Sequence, residues 1–121
     1  MALKLGINAA DGYVLVEHYG VTDVNESIQA GQEALKLVME HNLLKVFIDV
    51  TGIVGMLSII DFFRSTKYHA EHAPIKPKAS LYSRPDQKQE LSFIETVGVN
   101  RGMFIKTFTG RDEALAWLLG K

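Results

Sequence analysis

Three groups of residues have the types and spacing that carry chemistry. Arg84 and Arg111 stand in two short segments, 83–86 and 109–112, each leading from an expected strand into an expected helix. A guanidinium beside a helix N-terminus, where backbone N–H groups are free and the dipole is positive, suits a phosphate or carboxylate. Ser58, Asp61 and His69 have the residue types of a hydrolase triad, and His69 with His72 has the i, i+3 spacing that begins a metal site. The triad fails on distance: Ser58 and His69 lie on one expected helix, about 16 Å apart along its axis. No nucleophile elbow, phosphate-binding glycine loop or dinucleotide fingerprint occurs. Two imidazoles without a third ligand do not make a metal centre, and cationic side chains suit a helix C-terminus in any case. The expectation is a non-enzymatic protein with no cofactor and no metal.

The most unusual stretch is "DVTGIVGMLSIIDFF" at 49–63, which leaves a strand and enters a helix through apolar residues where a surface turn is normally polar. In a helix over about 58–72, Ile59, Phe62, Phe63, Thr66 and Ala70 form a core-facing stripe. Ile60 falls off that stripe. With Val54, Met56 and Leu57 it forms either an exposed apolar patch, of the kind that marks partner or ligand contacts, or a loop folded down over the core. The candidate contact set is Thr51, Val54, Met56, Leu57, Ser58, Ile60, Arg84 and Arg111. Helix capping also accounts for several of these residue types, because Ser58 with Asp61 has capping-box spacing, Pro85 suits a first helical position, and Thr109 or Asp112 suits a cap.

The elements that position these residues follow from periodicity. Leu3, Leu5 and Ile7 alternate, Asp11-Gly12 supplies a turn, and residues 13–18 alternate again, which predicts an N-terminal hairpin. "DVNESIQAGQEALKLVMEHN" has helical spacing at Val24, Ile28, Leu35 and Val38, with Asp23 and Glu26 as a capping box. Gly31 inside this helix is unfavourable by about 1 kcal/mol relative to alanine and implies close packing at that point. "KVFIDV" at 45–50 is almost continuously apolar, as a central strand buried on both faces would be. A helix at 58–72, a strand at 78–83, a helix at 86–97, a strand at 103–108 and a helix at 112–119 complete the order. Alternation of this kind predicts an α/β fold: a mixed five-stranded sheet, made of the hairpin plus parallel strands, with four helices. Ligands of such sheets usually bind at the C-terminal ends of the parallel strands, which is where the candidate set falls.

Composition narrows the partners. A chain of 121 residues, 47% of them hydrophobic, has enough material for one core, so a single domain over 1–121 is expected. Thirteen basic against fourteen acidic side chains, for a net charge of −1, leave no basic stripe for nucleic acid. With no cysteine there is no disulfide framework, and the run "IVGMLSII" is far short of the roughly 20 residues of a membrane span. The opening "MALKLGINAADG" lacks the basic-then-apolar order of a signal peptide, so a cytoplasmic location is expected.

The order of elements, the strand ending "IDVTG" and the tail "IKTFTGRDEALAWLL" resemble the SpoIIAA-like family, small bacterial proteins related to STAS and CRAL-TRIO domains. The resemblance covers essentially the whole chain and rests on hydrophobic pattern. It implies the STAS-like fold and a regulatory or binding role, with a protein partner or a small anionic ligand at the loop-rich edge. In anti-sigma-factor antagonists of the STAS type, a loop serine after the Asp-x-Ser/Thr strand end is phosphorylated. The resemblance puts that serine at Ser58, although Leu57 replaces the loop aspartate and Ile59-Ile60 replace Ser/Thr-Gly. The relation to CRAL-TRIO domains implies an alternative, a carrier or sensor of a small lipid-like ligand, for which a closed apolar pocket under helix 58–72 is the discriminating feature. A third reading is self-association, with the apolar loop buried in a two-fold homodimer.

Overall fold

The computed structural model describes residues 2–21 and 23–121, and the side chains at 2, 56–59 and 62 lie outside that description. β1 (Ala2–Asn8) and β2 (Tyr13–Gly20) form the expected antiparallel hairpin, closed at its turn by the Gly12 N–H donating to the Asn8 carbonyl at 2.8 Å. α1 (Val24–His41) starts where its sequence signal lies, with the Asp23 carboxylate accepting from the Glu26 N–H at 2.8 Å. β3 (Lys45–Ile53), α2 (Met56–His72), β4 (Lys78–Tyr82), a 3-10 turn (Pro85–Gln87), α3 (Lys88–Asn100), β5 (Phe104–Phe108) and α4 (Arg111–Leu119) follow. This is the α/β layout expected, a mixed five-stranded sheet with four helices.

The strands run β1-β2-β3-β4-β5 across the sheet, and β2 to β5 are all parallel. Each crossover therefore advances in the same direction, and right-handed connections that all advance one way put their helices on one face. The core agrees. Ala34 and Val38 of α1 pack with Val14, Val16 and Val46, while Leu91 and Ile94 of α3 pack with Val50, Leu81 and Ile105. The opposite face is left to α4, whose Ala114 and Leu118 pack on Tyr13 and Phe47. β3 lies in the middle and is buried on both faces, with Phe47 and Val50 fully covered.

Several boundaries differ from expectation, among them α3, which follows a 3-10 turn and runs from Lys88 to Asn100 where 86–97 was expected, and those at the strand ends bear on the site. β3 runs to Ile53 because β2 continues beside it past a register shift, pairing Tyr19 with Gly52 and Gly20 with Ile53. The strands approach so closely there that a Cβ on Gly52 would lie 2.8 Å from the His18 carbonyl oxygen. Thr51 is thus a strand residue, and Ile53, 2% exposed, belongs to the core. Only Val54 and Gly55 remain to turn the chain, so Gly55 is the N-cap of α2, and Ser58 lies inside the helix where no capping box operates. Likewise Gly110 is the N-cap of α4, with no side-chain capping bond, in place of Thr109 or Asp112.

Candidate functional site

The edge at the strand C-termini is held together from within. β4 last pairs with β3 at Tyr82 opposite Asp49, so the final residues of β3 run on without β4 beside them. Their carbonyls are taken up by the segment after β4. Gln87 Nε2 donates to the Val50 oxygen at 3.0 Å, and Arg84 Nη1 donates to the oxygens of Thr51 and Ile53. The Gln87 amide oxygen in turn accepts from the Arg84 N–H at 2.9 Å. The rest of the Arg84 guanidinium engages Asp86, with Nε 3.0 Å from Oδ1. Burial of Gln87, 1% exposed, is tolerated because both ends of its amide are bonded.

Of the residues expected at this edge, geometry joins Thr51 to Arg84 and sends Arg111 elsewhere. The Arg111 guanidinium lies 5.0 Å from the centroid of the Phe47 ring on the α4 face, a cation–π contact. Val54 and Ile60 are exposed, at 57% and 40%. The side chains of Met56, Leu57 and Ser58 lie outside the described residues, and so do those of Ile59 and Phe62 from the expected stripe. Phe63, Thr66 and Ala70 do face the interior, and Phe63 stacks on the exposed Phe93 of α3 at 5.4 Å.

A second feature lies on the other side of α2. Between α1, the second half of α2 and the sheet is a cavity of about 110 Å³. Its floor is Val16, Val46, Ile48, Ala79 and Ile105, and its walls are short side chains, Ser27, Gly31 and Ala34 on α1 facing Ser65 and Thr66 on α2. Small residues on both facing helices leave volume that Leu or Phe would have filled. The cavity reaches the connection at Ile75, Lys76 and Pro77 and the start of β5 at Met103, which puts it toward the N-terminal half of the parallel strands. Thr51, Val54, Ile60, Arg84 and Arg111 do not line it.

Its polar groups are two histidines, three hydroxyls and Lys76 of the connecting segment. His18, 4% exposed, has its pKa pushed down to about 4 by burial, with the Asp49 carboxylate pulling the other way. His69 is also lowered by burial. The carbonyls of Ile28 and Ser27 oppose that shift, yet neither reaches bonding geometry with Nε2. The His69 ring is pressed into the notch at Gly31, where a Cβ would collide with Nε2. This is the close packing that a glycine inside a helix implied. Ser27 Oγ, like His69 Nε2, is buried with no hydrogen-bond partner.

His69 and His72 do not form a pair. His72 stacks on Tyr68 at 4.4 Å, its Nδ1 2.9 Å from the Tyr68 carbonyl oxygen, while His69 turns inward. Among the described residues no three His, Cys, Asp or Glu side chains gather as metal ligands, and no helix is long and apolar enough to cross a membrane. Sequence reasoning reached α2, Gly31 and the question of a pocket under that helix, but not the residues that line it. The available signal was the run of small residues Ser27, Gly31 and Ala34 at helical spacing, which marks a face unable to fill its own contact. Comparison of the chain with protein-family models, with curated proteins and with solved structures gives no match.

Proposed function

We propose that this chain is a non-enzymatic binding domain of SpoIIAA-like type that holds a small, mainly apolar ligand between α1, α2 and the sheet. One observation carries the reading, the cavity of about 110 Å³ under α2 with an apolar floor. A well-packed core of this size does not leave such volume without reason, and apolar cavities on the order of 150 Å³ take up a benzene ring. The pocket under this helix is apolar but partly open where a closed one was the discriminating feature, and it favours the carrier or sensor alternative over a contact made only at the strand edge. Arg84 gives further support to that preference, because its donors already hold the β3 carbonyls and Asp86 and are not disposed toward an outside anion.

The edge retains one observation in its favour. Val54 and Ile60 present apolar surface beside it, which suits a protein partner or a second copy of the chain and leaves Ser58 as the modification site the resemblance implies. Native mass spectrometry of the protein purified from its own host, beside a denaturing control, tests the cavity reading. The expected result is a small-molecule adduct that is lost on denaturation and absent from Ala79→Leu, whose added side chain fills the floor. A clean protein mass, together with no uptake of toluene seen by NMR, overturns it.

A further inference from the structure

The cavity meets water at the connection from α2 to β4. Of the residues that line it, Lys76 alone is exposed, and the rest are buried or half-buried. Lys76 lies between Pro74 and Pro77, whose rings restrict the backbone around it. Its Nζ is 4.0 Å from the position that a Cβ on Gly102 would take, and the next residue, Met103, lines the cavity as well. The ammonium therefore stands at the opening, between this connection and the residues that lead into β5. A lysine in such a place can lay its apolar stem against the wall and keep its charge in water.

Charge at the opening is unbalanced. Arg101, next to Gly102 in the chain, is engaged by Glu71, with Nε 3.6 Å from Oε1. Among the described residues no carboxylate comes within ion-pair distance of Lys76. No Asp or Glu lines the cavity either, so an anion at the opening meets a free ammonium and no like charge from the wall. Seated deep beneath α2 a carboxylate would lose its hydration, whereas at the opening it keeps part of its water while it faces Lys76. Behind the ammonium the floor is apolar, and its volume limits the body of the ligand to about one ring or a short alkyl chain.

We infer that the ligand of this cavity is a small monocarboxylate, with a single ring or short chain over Val46, Ile48 and Ala79 and its carboxylate at the Lys76 ammonium. The inference rests on the cavity reading above and adds the class and place of the head group.

Three probes of similar shape test it: 4-methylbenzoate, toluene and 4-methylbenzylamine, titrated into the 15N-labelled full chain at neutral pH with the amide signals of Val46, Ile48 and Ala79 followed. 4-Methylbenzoate is expected to bind about threefold more tightly than toluene, the ratio that one partly exposed ion pair supports. Added salt should shrink that advantage and leave toluene unaffected. 4-Methylbenzylamine is expected to bind more weakly than either. Lys76→Met keeps an apolar stem at an exposed position and should fold; it is expected to erase the benzoate advantage and leave toluene affinity unchanged. Equal affinity for 4-methylbenzoate and toluene, or a benzoate advantage that survives Lys76→Met, overturns the head-group assignment while the cavity reading stands. Preference for the amine does the same. Failure of all three to perturb the floor signals overturns both.

Discussion

At the scale of single residues, Gly31 and His69 form one unit. The imidazole occupies the space that a side chain at Gly31 would need, so that a Cβ there would overlap Nε2. Gly31→Ala should gain about 1 kcal/mol from helix propensity and lose more to the clash, for a net destabilisation of about 1–2 kcal/mol in urea unfolding. In a His69→Ala background the same change should be neutral or stabilising, and equal costs in both backgrounds would contradict the contact. His18 sets a pH dependence. Its folded pKa of about 4 is below the ordinary 6.5, so between those values the unfolded chain binds a proton that the folded chain refuses. Stability should therefore be full above about pH 6.5 and fall as pH drops toward 4, by up to about 3 kcal/mol. Chemical denaturation at several pH values checks this. His18→Gln should flatten that part of the profile, and an unchanged slope would assign the dependence to other groups. None of this is legible in a sequence where His18 reads only as one residue of an alternating strand.

At the scale of elements, the segment from Arg84 to Gln87 closes the open end of β3. Its side chains bond the carbonyls of Val50, Thr51 and Ile53. Arg84→Met keeps the aliphatic stem and removes those donors, and it should cost about 1–3 kcal/mol through unpaired carbonyls. Thermal unfolding measures the loss. A variant as stable as the parent would instead free Arg84 for an outside anion. Sequence placed this arginine at the right edge because strand ends are visible in hydrophobic pattern. It could not show what the guanidinium touches, because Thr51 and Ile53 are distant in the chain and meet Arg84 only when β3 outruns β4. The start of α2 has the same character. Ser58 with Asp61 has capping-box spacing, but β2 holds β3 in register as far as Ile53 and the helix begins at Met56.

At the scale of the whole molecule, strand order divides the surface into a face with three helices and a face with one. The exposed apolar side chains of Val54 and Ile60 belong to none of the three core clusters. The double change Val54→Ser with Ile60→Ser should leave the melting temperature nearly unaltered, within the ±0.5 kcal/mol usual for exposed positions. Calorimetry checks this, and a loss of several kcal/mol would show the patch to be packed. The sequence by itself determined the α/β class, the hairpin, the central position of β3 and the tight contact at Gly31, because alternation, helical spacing and an internal glycine are local signals written along the chain. Only the tertiary structure decided that Arg84 holds backbone carbonyls, that His69 and His72 part company, and that small side chains of α1 and α2 enclose a cavity over Val16, Ile48 and Ala79. The physical reason is that these are facts about space between elements. A gap is set by how closely two helices approach each other and the sheet, and no single segment contains that distance.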